Sequence, residues 1–263
     1  MMEVSAYSLA VLRARIRATE ADAELRRLAE LLAADARTGA RLLAEVAVKR
    51  REALRAERRR IARLFALRAR LSRGGVARIA GVDEVGVGPL AGPVVACAVV
   101  LPGQMDLPGL DDSKRLTPRV RERLAAAIRE QALDVSIGVV SPADVDRLNV
   151  YQAALEAMRR AVEGLSAAPD HVLVDARTIP SIGVAQTAIV AGDRTDGSIA
   201  AASIVAKVHR DAIMVRLARR YPGYGFEQHK GYPTPDHLAA LEQLGASPEH
   251  RRSFAPVAQL GLL

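Results

Sequence analysis

The stretch Gly81-Val82-Asp83-Glu84-Val85-Gly86-Val87-Gly88-Pro89-Leu90-Ala91-Gly92-Pro93 decides the fold of this chain. It ends an apolar, β-branched run in two adjacent carboxylates and passes at once into a glycine-spaced loop. A second apolar run, 93–101, follows. Unpaired charge is costly to bury, so a carboxylate pair at the end of a buried strand implies a cation to hold. Glycines beside the pair let a polymer backbone come close to the main chain. The two features together point to metal-dependent chemistry on a phosphate-bearing substrate. Neighbours in a strand face opposite ways, so Asp83 and Glu84 share one site only where the strand ends or distorts. Gly86 offers a place for such a distortion.

Outward from this block the pattern alternates between β-branched runs and helical periods. Strands are expected at 77–85, 93–101, 134–140, 171–175 and 185–190, and helices at 118–131, 151–164, 196–221 and 234–244. That order implies an α/β fold, a mixed sheet flanked by helices. Two more apolar runs end in carboxylates, Val172-Leu173-Val174-Asp175 and Ile189-Val190-Ala191-Gly192-Asp193. Side by side, such strand ends converge on one edge of the sheet, where open α/β folds bind ligands. The competing reading is that each Asp caps a turn or helix. Two carboxylates 4 Å apart repel by about 4 kcal/mol at an effective dielectric near 20, so four together call for divalent cations. Oxygen-only ligation suits Mg²⁺ or Mn²⁺, and a pair of such ions is a device for phosphodiester cleavage.

Composition bounds the rest. Half of the 263 residues are hydrophobic but only 3% are aromatic, with no Trp, so the core must be built from Ala, Val, Leu and Ile. The single cysteine, Cys97, excludes an internal disulfide and a multi-cysteine metal site. Without a signal-peptide pattern or an apolar run of spanning length, the sequence is expected to be soluble and cytoplasmic.

The positive charge is confined to the N-terminal part. Residues 1–75 hold 18 Lys and Arg against 9 Asp and Glu, and the remainder 20 against 21. Residues 1–72 are rich in Ala, Leu, Arg and Glu without Pro, the composition of long helices. A break at Asp35-Ala36-Arg37-Thr38-Gly39 predicts two of them. Leu43, Val46, Leu54, Ile61, Leu64 and Leu71 follow a three-to-four spacing in the second, interrupted by Arg50, Glu57 and Arg68, too broken for a coiled coil. Residues 41–70, with 11 basic and 3 acidic side chains, fit either a solvated helical hairpin or a contact to a phosphate backbone. Ser72-Arg73-Gly74-Gly75 marks the boundary between an extension, 1–74, and a main domain, 75–263.

With these residues in view, the chain resembles the bacterial ribonuclease HII family (type 2 ribonuclease H) over about residues 76–257. The likeness rests on the 81–93 block, Asp112-Ser113-Lys114, Val174-Asp175, Gly192-Asp193 and the segment Ala200 to Asp211. Tyr224-Gly225-Phe226, His229-Lys230-Gly231-Tyr232 and His250 to Pro256 complete it. The resemblance implies a ribonuclease H-like fold, with a five-stranded mixed sheet, a C-terminal helical part and a helical N-terminal extension. It also implies catalytic, metal-binding carboxylates at Asp83, Glu84, Asp175 and Asp193, holding two divalent cations, Mn²⁺ or Mg²⁺. The implied activity is cleavage of RNA in RNA–DNA hybrids and nicking on the 5′ side of a ribonucleotide embedded in duplex DNA. Tyr232 matches the tyrosine that stacks on the deoxyribose after the ribonucleotide, a reader suited to a junction marked by a 2′-OH.

One departure bears on substrate range. Where the family reads the junction with Gly-Arg-Gly, this chain has Gly86-Val87-Gly88. Main-chain contacts to the ribose survive the change, but the Arg contact to phosphate does not. The related type 3 family also lacks this Arg and acts on longer RNA stretches, which makes a type 3-like hybrid nuclease the first alternative. The helical composition of 1–72 and the His-Lys-Gly-Tyr and Arg-Arg-Ser-Phe blocks favour type 2. Alanine at 191, where a lysine is common, is a milder departure. A catalytically idle nucleic-acid-binding protein is the second alternative, and the four carboxylates argue against it.

Lys114, Lys207 and Arg210 are candidate phosphate contacts near the metals, and His229, in a block shared with the family, is a candidate substrate contact. His171, His209, His237 and His250 read as structural or surface residues, and Ser203 as part of a tight helix-on-sheet contact. The end of the chain, Gln259-Leu260-Gly261-Leu262-Leu263, looks like the peptide with which bacterial proteins dock on the replication sliding clamp, with Gln259, Leu260, Leu262 and Leu263 as anchors. The expected partners are thus RNA–DNA hybrid, ribonucleotide-containing duplex DNA and the clamp, with no membrane and a monomeric chain.

Overall fold

The structure, a computed structural model, describes residues 4–103, 105 and 107–260. It divides into two compact units, Met1–Arg63 and Leu64–Leu263.

In the first unit a short 3₁₀ turn, Val4–Ala6, precedes α1 (Leu9–Ala18), α2 (Asp22–Ala33) and α3 (Thr38–Leu64). The segment 1–72, expected to form two helices, therefore breaks twice more, at 19–21 and at Phe65. Thr19 is extended, and its hydroxyl donates to the Arg15 carbonyl at 2.9 Å. This satisfies an end-of-helix acceptor and stops α1 there. The expected break at 35–39 is a turn in which Asp35 accepts from the Arg37 amide. The buried stripe of α3 is Ala40, Leu43, Ala44 and Ala47, facing Leu12, Ile16, Leu25 and Leu32. Val46, assigned to the stripe by leucine-like spacing, is exposed. The i, i+3, i+4, i+7 face is occupied by alanines, which leucine counting overlooks.

The second unit begins earlier than the Ser72–Gly75 boundary. Helix α4 (Ala66–Arg73) belongs to it: Leu67 and Leu71 pack with Ile79, Leu173 and Ile199, and the buried Arg68 donates to the Leu101 carbonyl. The unit then runs β1 (Ile79–Val85), β2 (Val94–Val100), α5 (Pro118–Gln131), β3 (Asp134–Val140), α6 (Pro142–Leu148) and α7 (Val150–Glu163). It continues with β4 (His171–Asp175), β5 (Ala185–Ile189), α8 (Gly192–Thr195), α9 (Gly197–Arg220), α10 (Phe226–His229), α11 (Pro235–Leu244) and α12 (Ala255–Gln259). Side-chain caps set several starts: Thr117 for α5, Ser141 for α6, Asp196 for α9 and Thr234 for α11. No helix among the described residues is long and apolar enough to cross a membrane.

The five strands form one mixed sheet in the order β3-β2-β1-β4-β5. β1 pairs antiparallel with β2 and parallel with β4, which places β1 at the centre. One face carries Ala80, Val82, Ala96 and Ala98 against Ala153, Ala157 and Met158 of α7. On the other face α9 lies very close: a Cβ on Gly81 would come within 2.2 Å of the Ser198 carbonyl. Gly197, Ser198, Ala200, Ala201, Ala202 and Ser203 make that approach possible, and it presses α9 onto β1, the strand that carries Asp83.

Candidate active site

The parallel pairing of β1 with β4 ends at Val82 and Val174, so Asp83 and Asp175 are the next residues at the same end of the sheet. The antiparallel pairing with β2 continues regularly through Asp83, Glu84 and Val85. The strand is therefore not distorted at the acidic pair, contrary to the expectation drawn from Gly86. Alternation holds: Asp83 lies on the α9 face, where Ser203 bonds its carboxylate, and Glu84 follows Ala80 and Val82 on the other. The two still meet electrostatically because β4 has ended beside them.

Asp193 does not terminate a strand. β5 stops at Ile189, Ala191 takes a left-handed conformation with φ 54°, and Asp193 sits buried in the single turn of α8. The Gly192 amide at the start of that turn donates to Asp175 Oδ1 at 2.6 Å, which ties the two segments together. Asp175 thus marks the end of β4, and Asp193 reaches the same region from the following turn.

Burial dominates the electrostatics. It pushes the Asp83 carboxyl well above the usual carboxylate range, and the charges of Glu84 and Asp175 push the same way. Glu84 is raised by burial with Arg177 opposing, and Asp175 is raised by burial with the Gly192 amide opposing. Two cations answer this charge: Lys114 Nζ is 3.0 Å from Asp193, and Arg177 Nη1 is 3.4 Å from Glu84. Sequence reasoning missed Arg177. It follows Ala176, at φ 53°, and lies over the Tyr151 ring at 5.1 Å, with Nη1 buried and making no hydrogen bond. No local pattern separates it from an ordinary surface arginine. Ser203, read from the sequence as packing alone, also bonds Asp83, and its Oγ shares a hydrogen bond with Ser113 Oγ at 3.0 Å that secures the Asp112-Ser113-Lys114 loop to α9.

The loop after β1 is held from beneath by two buried arginines. Arg251 donates to the Gly86, Val87 and Gly92 carbonyls. Arg210 donates to Pro93, Ala91 and Lys230. Arg210 was expected to touch phosphate, but it is fully buried and its donors are directed at main-chain carbonyls. It is a brace between two loops. A Cβ on Gly86, whose φ is +90°, would meet Arg210 Nε at 2.2 Å, so only glycine fits there. Lys207 lies half-buried and pairs with Asp211 at 2.7 Å. Tyr232 is 39% exposed and borders Gly88, whose added Cβ would lie 3.7 Å from its ring. The Leu90 amide donates to the Gly231 carbonyl at 2.8 Å, joining the glycine loop to the Tyr232 loop. Gln259 ends α12 exposed and Leu260 packs beside Leu241 and Val257, whereas Leu262 and Leu263 lie outside the described residues.

Three histidines hold the Tyr232 loop. His237 Nδ1 lies 2.9 Å from the Tyr232 carbonyl, which only accepts, so this nitrogen carries the proton. His237 Nε2 must then accept from His250 Nε2, at 3.1 Å, and His250 Nδ1 accepts from the Ser247 amide and hydroxyl. His229 donates to the Tyr224 carbonyl, accepts from the Gly231 amide and stacks on His237 at 4.3 Å. Both members of the buried pair are neutral in this relay, because a second proton would set two N–H groups against each other. Burial, reinforced by His237, lowers His250 to about 4 from 6.5. The unfolded chain thus binds this proton first, and the stability that neutral His250 contributes above pH 6.5 is lost as pH falls toward 4. This amounts to roughly 3 kcal/mol. Denaturant unfolding should therefore show wild-type stability falling more steeply from pH 7 to 4.5 than that of His250→Gln, which donates to His237 but takes up no proton. The buried carboxylates are common to both proteins and drop out of the difference. Parallel curves would contradict the relay.

The donor set fits a hard divalent cation: four carboxylates, oxygen only, three of them destabilised as anions by burial. As the side chains stand, Lys114 and Arg177 occupy two of the four. Among the described residues no three His, Cys, Asp or Glu side chains are disposed to enclose an ion.

Comparison with known proteins follows the same outline. The sequence pattern of the family described as Ribonuclease HII matches residues 80–257. A ribonuclease HII of Geobacillus thermodenitrificans is 52% identical over 228 residues, spanning 87% of this chain and 88% of that one. Among solved structures, the ribonuclease H2 of Pyrococcus horikoshii is similar with a TM-score of 0.59 at 27% identity, over 70% of this chain and 97% of the other. The RNase HII of Archaeoglobus fulgidus, solved in a complex with PCNA, is similar with a TM-score of 0.57 at 27% identity, over 68% and 95%.

Proposed function

The chain belongs to the ribonuclease HII family and is a ribonuclease H endonuclease. On that premise we propose that it cleaves the RNA strand of RNA–DNA hybrids and nicks duplex DNA on the 5′ side of an embedded ribonucleotide, leaving 5′-phosphate and 3′-hydroxyl ends. The observation that carries the reading is the meeting of Asp83, Glu84 and Asp175 at one end of the sheet, with Asp193 on the adjoining turn. These four residues would hold the divalent cations. When bound, the ions supply activation of the attacking water and stabilisation of the leaving oxygen.

The chain's own groups prepare the site. Ser203 and the Glu84 amide orient the Asp83 carboxylate, and the Gly192 amide orients Asp175. Lys114 and Arg177 are placed to meet phosphate charge once the carboxylates are engaged elsewhere, and Arg177 Nη1, 3.4 Å from Glu84 but making no hydrogen bond, has a donor to give. Tyr232 offers a ring face beside the glycine loop, whose carbonyls are taken up by the buried arginines beneath. The Val87 side chain joins the apolar cluster that includes Leu148, Val150 and Phe254. The loop therefore reads the junction through its main chain and Tyr232.

Cleavage of two duplexes side by side tests the substrate range, one with a single ribonucleotide and one a full RNA–DNA hybrid. Both are expected to be cut. The single-ribonucleotide duplex should be cut roughly 10- to 100-fold less efficiently, the worth of one charge-assisted contact of about 1.5–3 kcal/mol. Cleavage of the hybrid alone would assign a type 3-like range, and cleavage of neither with Mg²⁺ or Mn²⁺ would overturn the proposal.

A further inference from the structure

A groove of about 690 Å³ runs along α9 between the start of α5 and the Lys230–Tyr232 loop, outside the carboxylate site. Its floor is apolar, from Val208, Ala212 and Val215, and its walls are basic: Arg121, Lys207, Arg216, Arg219 and Lys230 against Glu122 and Asp211. The concentration is local, because residues 76–263 carry 20 basic and 21 acidic side chains in all. Asp211 is taken up by Lys207 and Arg121, at 2.7 and 3.9 Å. Arg216 and Arg219 are exposed, and among the described residues neither is in an ion pair.

The placement of these cations is set by α9. Ser203, which bonds Asp83, lies one turn before Lys207, and Lys207 lies 12 residues before Arg219. At about 1.5 Å per residue Arg216 and Arg219 thus lie roughly 20 and 24 Å along the helix from Ser203, or about six to seven base steps of a duplex at about 3.4 Å each. Positions 208, 212, 215, 216 and 219 fall on one face, so the row leads away from the carboxylates in a single direction. The exposed Tyr232 ring lines the same groove and borders Gly88, which makes the groove continuous with the proposed junction-reading surface.

We propose that this groove is a second nucleic-acid contact, in which Arg216 and Arg219 bind backbone phosphates of the substrate duplex about six to seven base steps from the cut, on one side of it only. The proposal rests on the nuclease reading above. The occupant is a phosphodiester backbone and not an acidic protein, because the groove that holds Arg216 and Arg219 is continuous, through Tyr232, with the surface beside Gly88 where the substrate duplex is proposed to lie. Fluorescence anisotropy on a catalytically silenced background and steady-state cleavage on the active enzyme both test it, with Arg216→Ala/Arg219→Ala. Both side chains are exposed, so an unchanged thermal melt serves as the control for folding.

With a duplex extending ten base pairs on either side of the ribonucleotide, KM should rise on the order of tenfold with kcat unchanged. The salt dependence of binding, log K against log[salt], should flatten by about 2. Shortening the duplex to two base pairs on one side should produce the same loss in the wild type and make the double variant indistinguishable from it. Shortening on the other side should leave the difference intact. Unchanged affinity and slope in the double variant, or equal sensitivity to both truncations, would overturn the proposal. Failure of the wild type to cleave would strike the nuclease reading instead, and the anisotropy arm still reports on the groove.

Discussion

Asp83→Asn should lower hybrid cleavage by about three orders of magnitude or more, leave hybrid binding measurable, and raise the melting temperature in chelator-treated buffer. The activity figure follows from losing about 4 kcal/mol or more of metal-dependent transition-state stabilisation. The stability gain follows from the site itself. Asp83 is buried beside Glu84 and Asp175, and its charge is opposed by desolvation and by both neighbours. Asparagine keeps an oxygen to accept from Ser203 and from the Glu84 amide, without the charge. Sites that hold a catalytic charge out of water are expected to trade stability for function in this way. Activity within tenfold of wild type would refute the assignment of the carboxylate. Loss of activity together with a lower melting temperature would make Asp83 a structural residue instead.

Arg251→Ala carries the largest expected effect on the fold. Its guanidinium is fully buried and donates four hydrogen bonds to the Gly86, Val87 and Gly92 carbonyls, at 2.6 to 3.1 Å, while lying over the Phe254 ring at 5.1 Å. Burial, reinforced by the nearby Arg210, lowers its pKa to about 9, still charged at neutral pH. Truncation leaves three carbonyls without donors and a cavity beside them, a loss of about 3–5 kcal/mol. For a unit of this size that corresponds to a melting temperature lower by roughly 10 °C. Lysine at the same position should recover little, because a point charge on a flexible stem cannot reproduce a planar fork reaching three acceptors. A drop of less than about 3 °C by calorimetry would show that the loop is held by other means.

The extent to which the site was legible in the sequence differs from residue to residue. The ends of β3 and α5, and the positions of β1, β2, β4 and α9, followed from period-two runs, turn residues and caps, signals contained within a few residues. The two single acidic positions, Asp175 and Asp193, and the Asp83-Glu84 pair stood out because carboxylates seldom close apolar runs. The N-terminal unit was read less well. Its core face is lined by Ala40, Ala44 and Ala47, and alanine is common on buried and exposed helix faces alike. Arg37, Arg68, Arg177, Arg210 and Arg251 look alike in sequence, yet only Arg210 and Arg251 lie fully buried beneath the glycine loop.

By itself the sequence determined which strands form and that carboxylates stand at or just beyond their ends: Asp83, Glu84, Asp175 and Asp193. These are properties of residue type and short-range spacing. Only the tertiary structure decided how the parts serve one another. It put Asp83 and Glu84 on opposite faces of an undistorted strand, and moved Asp193 from a strand end to a helical turn. It also turned Arg210 inward and set Arg177 against Glu84. The physical reason is that such roles depend on which distant main-chain atoms come within hydrogen-bond reach. Arg251 reaches the Gly86 carbonyl across 165 residues of sequence, a distance no local pattern records.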